Sequence, residues 1–255
     1  MRELWAGFRV QLLVVRSDPD YVMPLVTVPM FTITFLAIMR HAGREDLSSY
    51  ALLAPVLIAL WALSLFSSGE VIAGDRWEGT LEPAIAAPAR FAAVVLGRIL
   101  AVTTIALVSF AEVALAAWLA FGVVIAVRHP LEFALTLVAT AFAVSGTAVI
   151  MSAVFVLSRS PRTFQNSLSF PFYVLGGVLV PVAFLPDWLR PLSRVVFLSW
   201  SADLLRDSLA RPPMDDVAVR VLIVVALGAV GFALGALLLW AILRRVRRDG
   251  SLALT

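Results

Sequence analysis

Lysine is absent from this chain: all 20 of its basic residues are arginine. A phosphate-binding loop of the GxxxxGK[ST] pattern needs its lysine to reach the β- and γ-phosphates. By that route the chain cannot bind and hydrolyse ATP. Cysteine is absent too, which excludes disulfides, thiolate metal ligands and cysteine nucleophiles. Histidine occurs twice, as His41 and His129, each in a short segment between apolar runs. The two read as polar caps at a membrane surface, with a two-histidine metal site as the alternative. Neither a Gly-x-Ser-x-Gly elbow nor a His-Glu-x-x-His pair occurs. Charge is scarce, at 15% of residues, against about 25% in an ordinary soluble domain. Apolar residues fill the space: 61% of the chain is hydrophobic and its mean hydropathy is +0.96. A soluble fold of 255 residues cannot hide that much apolar surface, so the bilayer is its solvent. Richness in Ala, Val, Leu and Arg reads as the mark of a GC-rich bacterial genome.

A spanning helix needs about 20 mostly apolar residues. Six segments qualify, near residues 21–39, 50–72, 94–127, 133–157, 168–184 and 217–243. The third is long enough to tilt or to extend beyond the bilayer. The fifth is the shortest and carries Pro171, Gly176, Gly177 and Pro181, breakers tolerated at that depth where neighbouring helices or a cavity satisfy the freed backbone. The positive-inside rule puts the larger share of arginines in the cytoplasm when both termini lie inside. Arg244, Arg245, Arg247 and Arg248 after the last span are the strongest anchor, with anionic headgroups as a further partner. The plasma (inner) membrane is the expected location.

Residues 1–17 read as an amphipathic interface helix rather than a cleavable signal. Leu4, Trp5, Phe8, Leu12 and Val15 recur at helical spacing, while Arg2, Arg9 and Arg16 share the other face. Asp18-Pro19-Asp20 ends the helix. Between the second and third runs lies a dense hydrophilic patch, Gly69-Glu70-Val71-Ile72-Ala73-Gly74-Asp75-Arg76-Trp77-Glu78-Gly79-Thr80-Leu81-Glu82-Pro83. The bilayer cannot hold it. Gly79 is placed to break a helix and Pro83 suits an early helical position. The loop, residues 73–92, reads either as a solvated connector or as a contact surface for a soluble partner.

Glu78-Gly79-Thr80-Leu81-Glu82, with Pro88 beyond it, resembles the signature after the second span of ABC-2-type permeases, the membrane subunits of ATP-binding-cassette exporters. A second block is similar as well: Ser158-Arg159-Ser160-Pro161-Arg162-Thr163-Phe164-Gln165-Asn166, then Leu175-Gly176-Gly177-Val178-Leu179-Val180-Pro181, Leu185-Pro186-Asp187-Trp188-Leu189 and Asp203-Leu204-Leu205-Arg206. The resemblance covers nearly the whole chain. Two departures stand out. Gly176-Gly177 replaces a common Ser-Gly, and Leu198-Ser199-Trp200 stands where an Asn-Pro pair is more usual.

The resemblance implies an all-α, polytopic membrane protein with one domain over residues 1–255. Two six-span subunits pair, identical or homologous, each above a separate nucleotide-binding ATPase subunit. That partner would bind ATP and magnesium, so this chain is expected to hold no cofactor or metal and not to be an enzyme. Glu78, Gly79, Thr80, Leu81 and Glu82 become the ATPase contact, a coupling helix. The interface helix, with Trp5, Phe8 and Arg9, is a second contact. The subunit seam of the family uses spans one and five. Resemblance to the drug- and antibiotic-efflux branch implies a hydrophobic or amphipathic small molecule as cargo. No nucleic acid is expected as a partner, and residues 244–255 form a cytoplasmic tail.

Residues 185–216 are too apolar for a free loop. Trp188, Leu189, Leu192, Val195 and Val196, then Trp200, Leu204, Leu205 and Leu209, recur at helical spacing, with Asp203, Arg206 and Asp207 on another face. Two short helices dipping into the outer leaflet fit, as a gate or as interface ballast. Glu112 falls inside the third run, where a charge costs roughly 2.5–3.5 kcal/mol on insertion scales. It must face protein or a wet cavity, as a path carboxylate or as a protonated acid bonded to a neighbouring helix. Glu70 is expected to pair locally with Arg76 or Arg98. The path or gate residues are therefore Glu112, Gly176, Gly177, Pro181, Asp203 and Arg206. Gly228, Gly231 and Gly235 are expected to pack within the subunit. Rival readings are an ion-coupled transporter using Glu112, export of a lipid-linked glycan, and a non-transporting scaffold or sensor.

Overall fold

The computed structural model of the chain describes residues 2–17, 23–44, 47–77, 79, 91–157 and 161–249. The described residues are helical, with no strand among them. The helices are α1 (Arg2–Ser17), α2 (Met23–His41), α3 (Ser48–Trp77), α4 (Phe91–Ala106), α5 (Ser109–Phe121), α6 (Pro130–Leu157), α7 (Pro161–Leu175), α8 (Arg190–Val195), α9 (Phe197–Leu209) and α10 (Val217–Asp249). A short 3-10 turn, Val182–Phe184, precedes α8.

Among the described residues four apolar stretches are long enough to cross a membrane: Ser48–Leu65, Ala93–Phe121, Pro130–Phe155 and Val217–Ile242. The first and fifth expected spans are shorter. The apolar part of α2 is Val26–His41, and α7 has 15 residues, about 22 Å of helix against a hydrocarbon core of about 30 Å. That helix begins seven residues before the expected segment and runs straight through Pro171.

The helix at the centre is α3. Leu52, Leu53, Val56, Leu57, Leu60, Trp61 and Leu65 are all buried, as in a helix apolar all round. It packs against α2, α4, α5, α6, α7 and α9. Its 30 residues continue through 73–77, where the sequence suggested loop. By contrast α10 turns Leu222, Val230, Leu234, Leu237 and Trp240 outward, the face a bilayer would cover. Its inner stripe is glycine. A Cβ on Gly228 would meet Ala143, one on Gly231 would meet Gly146, and one on Gly235 would meet Val149 and Ile150. The expected packing of these glycines within the subunit is what the structure shows, against α6.

The third apolar run is not one helix. Ser109 Oγ donates to the carbonyl of Ala106 at 2.5 Å, taking an acceptor from the backbone ladder. Bonds of the tighter 3-10 kind follow, Val108 N–H to Ile105 O at 2.9 Å and Ala111 N–H to Val108 O at 2.9 Å. So α4 stops and α5 starts afresh. Nor does the run reach residue 127. Gly122, at φ +65°, closes α5 with its N–H on Trp118 O at 2.9 Å. Arg40, at the end of α2, then donates to the freed carbonyl of Phe121 at 3.1 Å, with its guanidinium 5.0 Å from the Phe121 ring centroid.

Candidate functional site

At the end of the bundle carrying the chain's termini, α1 lies along α4 at backbone contact. A Cβ on Gly7 would strike the carbonyl of Val94, and one on Gly97 would strike the carbonyl of Leu4. Only residues without a side chain allow two helix backbones to come this close. Beside them Gln11 is wholly buried and accepts from Arg98 Nε at 3.0 Å. The contact stripe of α1 is therefore Leu4, Gly7 and Gln11; of the apolar positions that sequence spacing singled out, Leu4 lies on it, while Trp5 and Leu12 do not. Trp5 and Phe8 stack on each other, centroids 5.4 Å apart. Trp5, Leu12, Leu13 and Arg9 stay exposed. Arg98 is held by Gln11; the alternative pairing with Glu70 falls on a side chain outside the described residues.

This clasp is close in sequence to the expected contact loop. Of its five named residues the structure describes Gly79, while Glu78, Thr80, Leu81 and Glu82 lie outside the described residues. Gly79 is exposed, two residues past the end of α3, at φ +69° with nothing within 4 Å of a built Cβ. A left-handed residue here ends α3 at little cost only as glycine.

At the opposite end a latch forms around Arg206. α7 closes on Gly177 at φ +63°. Val178 N–H bonds Tyr173 O at 3.0 Å and Gly177 N–H bonds Val174 O at 3.1 Å, the double closure of a Schellman turn. This leaves the carbonyls of Gly177 and Val178 pointing inward, and Arg206 Nη2 donates to both. Arg206 Nη1 meets Asp203 Oδ1 at 3.3 Å. Its guanidinium lies 3.7 Å from the centroid of the Tyr50 ring at the start of α3. The sequence placed Arg206 on the polar face of its helix. The structure buries it at 6% exposure, because that face turns inward to cap the glycine turn. Next to it Asp207 Oδ2 receives Arg220 Nη1 at 2.7 Å, tying α9 to α10.

Gly176 is buried against Leu198. Pro181 leads into the 3-10 turn and is half-exposed. Two helices, α8 and α9, stand where the spacing in 185–216 called for them. The turn between them is built without Asn-Pro: Val196 is extended, Ser199 Oγ donates to Ser193 O at 2.7 Å and Trp200 Nε1 to Arg194 O at 2.9 Å. Ser193 Oγ in turn donates to Leu175 O. His129 also belongs to this end. Its N–H and that of Arg128 both bond Ser208 O at 3.0 Å. Among the described residues no group of acidic residues and histidines could hold a metal.

Glu112 occupies the first turn of α5, directly after the break in the third run. It is partly buried, and its Oε2 is enclosed without a hydrogen-bond partner among the described residues. A second polar feature, not signalled by the sequence, lies along α4 between the clasp and Glu112. Ser64, Thr103 and Ser145 form a buried hydroxyl chain linking α3, α4 and α6, with Oγ–Oγ1 contacts of 3.2 and 3.1 Å. The carbonyls of Ile99 and Ala141 are also within reach of Thr103 and Ser145, so each single hydroxyl proton serves either its own helix or its neighbour.

Several helices of the bundle are long and apolar enough to cross a membrane, as in a multi-pass membrane protein. The family model for the ABC-2 type transporter matches residues 2–210, and the chain belongs to that family. It is a membrane permease component, not itself catalytic, and its family implies an ATPase partner. A comparison with curated proteins returns no match.

Proposed function

We propose that the chain is the membrane subunit of an ABC exporter that carries a hydrophobic or amphipathic small molecule along a path shared by two such subunits, driven by a separate ATPase. The observation that carries this reading is the glycine clasp between α1 and α4. It makes one stiff body of α1, with its exposed Trp5 and Arg9 and half-buried Phe8, and the helix that follows the hydrophilic loop. A push on either is delivered to the third membrane run without slack.

Six crossings are the reading that fits the chain's path. Val95 and Ile99 at the start of α4, Ala153 at the end of α6 and Leu239 late in α10 share one buried cluster. Since α1 lies on that same part of α4, α1 and the late part of α10 lie toward one end of the bundle, which supports an even number of passes. The four long stretches reach six when α2 and α7 with its turn are added. In this reading both termini are cytoplasmic, residues 78–82 dock on the ATPase, and α8 and α9 enter the outer leaflet, with exposed Trp188 and Val195 against lipid. Glu112 then faces the path, and the Arg206 latch holds the outer exit shut. Efflux of drugs or antibiotics is the cargo class the resemblance favours.

The test is to purify the chain with the ATPase that accompanies it, place the pair in liposomes and screen amphipathic compounds for stimulated ATP turnover. Stimulation together with movement of the compound supports the reading. Proton-driven movement without any ATPase supports the ion-coupled rival instead.

A further inference from the structure

We infer that Gln165 is the positioning residue of a slip seam between α3 and α7, along which the two helices exchange the present packing for a second one during transport. This rests on the proposed function.

Along the seam α7 and its turn are pinned to α3 at three heights. At the termini end, Gln165 Nε2 donates to Leu65 O at 3.0 Å. Midway, the Phe172 ring stacks on Trp61, centroids 4.3 Å apart and planes 20° from parallel. At the far end Arg206 joins the Gly177 turn to the Tyr50 ring. Each pin leaves one buried polar atom without a partner among the described residues: Gln165 Oε1, Trp61 Nε1 and Arg206 Nε. The other such atoms among the described residues, on Glu112, Thr136 and Ser201, are not pins of this seam.

An enclosed polar atom left unbonded costs about 1–3 kcal/mol, so the seam holds its present packing at a disadvantage repeated at every height. Gln165 shows this most sharply. Its side chain is wholly buried. Turning the amide round does not help, because Oε1 would then face the Leu65 carbonyl oxygen. A leucine would occupy a similar volume with no orphan. Buried polar groups with unused bonding capacity are what a two-state packing needs, since each state then satisfies part of the set. The hydroxyl chain Ser64–Thr103–Ser145 has the opposite character. All three hydroxyls are bonded, so α3, α4 and α6 stay together while α7 moves.

Two measurements on the full chain with its ATPase in liposomes test this. First, Gln165→Leu removes the orphan. The seam predicts a raised melting temperature together with loss of permease-stimulated ATP turnover. A purely structural glutamine predicts a lowered melting temperature, and unchanged turnover in any variant that folds also overturns the inference. Second, should Gln165→Leu not fold, the cysteine-free chain accepts the pair Trp61→Cys and Phe172→Cys joined by a short reducible bifunctional reagent. Turnover is expected to fall to that of the ATPase alone when joined and to return on reduction. Equal turnover in the joined and reduced states overturns the seam. No permease-stimulated turnover in the unsubstituted complex overturns the proposed function, and the seam with it.

Discussion

Gly97 packs with its backbone against the carbonyl oxygen of Leu4, with no room for a single methyl group between α4 and α1. Gly97→Ala must therefore push the helices apart, and overpacking of this kind costs typically about 1–3 kcal/mol. The expected result is a lower melting temperature in detergent and exposure of Gln11, read as faster labelling of a cysteine placed there. Gly43→Ala, at a glycine with open space around it but φ +65°, serves as a comparison that strains only a turn and leaves α1 docked.

Arg206 uses the planar spread of its guanidinium, with Nη2 on two carbonyls, Nη1 on Asp203 and its face on Tyr50. Lysine offers one compact charge and no face to stack. Arg206→Lys is expected to destabilise nearly as much as Arg206→Ala, on the order of 3 kcal/mol, and thermal unfolding checks it. A lysine variant that melts with the unsubstituted protein would show that charge alone holds the latch.

Thr103 stands between Ser64 and Ser145. Thr103→Val keeps the shape and removes both interhelical hydroxyl bonds. Such bonds average about 0.6 kcal/mol in a membrane helix bundle, so a loss of about 1 kcal/mol is expected, with assembly and turnover retained. A loss of function with unchanged stability would give the hydroxyl chain a role beyond holding α3, α4 and α6 together.

The hydrophilic loop carries the coupling prediction. Glu78→Arg reverses a charge at the proposed ATPase contact while leaving the membrane helices untouched. ATP turnover stimulated by transport is expected to vanish, with melting temperature unchanged. Equal stimulated turnover in the variant would remove Glu78 from the contact.

The long apolar runs made α3, α6 and α10 legible in the sequence, because about twenty mostly apolar residues admit few other structures. The third run misled. Nothing in Leu107-Val108-Ser109 is a breaker by composition, and the break comes from one serine hydroxyl reaching back to Ala106. Gly122 was a readable stop that the hydropathy of residues 123–127 concealed. In α1 the amphipathic pattern drew attention to Trp5 and Phe8, whereas the packing stripe runs through Gly7 and Gln11, since a backbone contact leaves no apolar signature. Arg206 sat beside two acids in the pattern of a solvated face. Its burial follows from the glycine turn of α7, a partner remote in sequence. The two short helices of 185–216 were legible from spacing because each has an apolar stripe of its own.

One measurement bears on whether an outside ATPase grips this chain through residues 78–82. The sequence holds no cysteine, so a single Thr80→Cys carries the only thiol and can be given a photoreactive crosslinker in cells. A covalent adduct with a nucleotide-hydrolysing protein, lost in the Glu78→Arg background, is the predicted result. Adducts that never include such a protein, from a chain that still reaches the membrane, would contradict it.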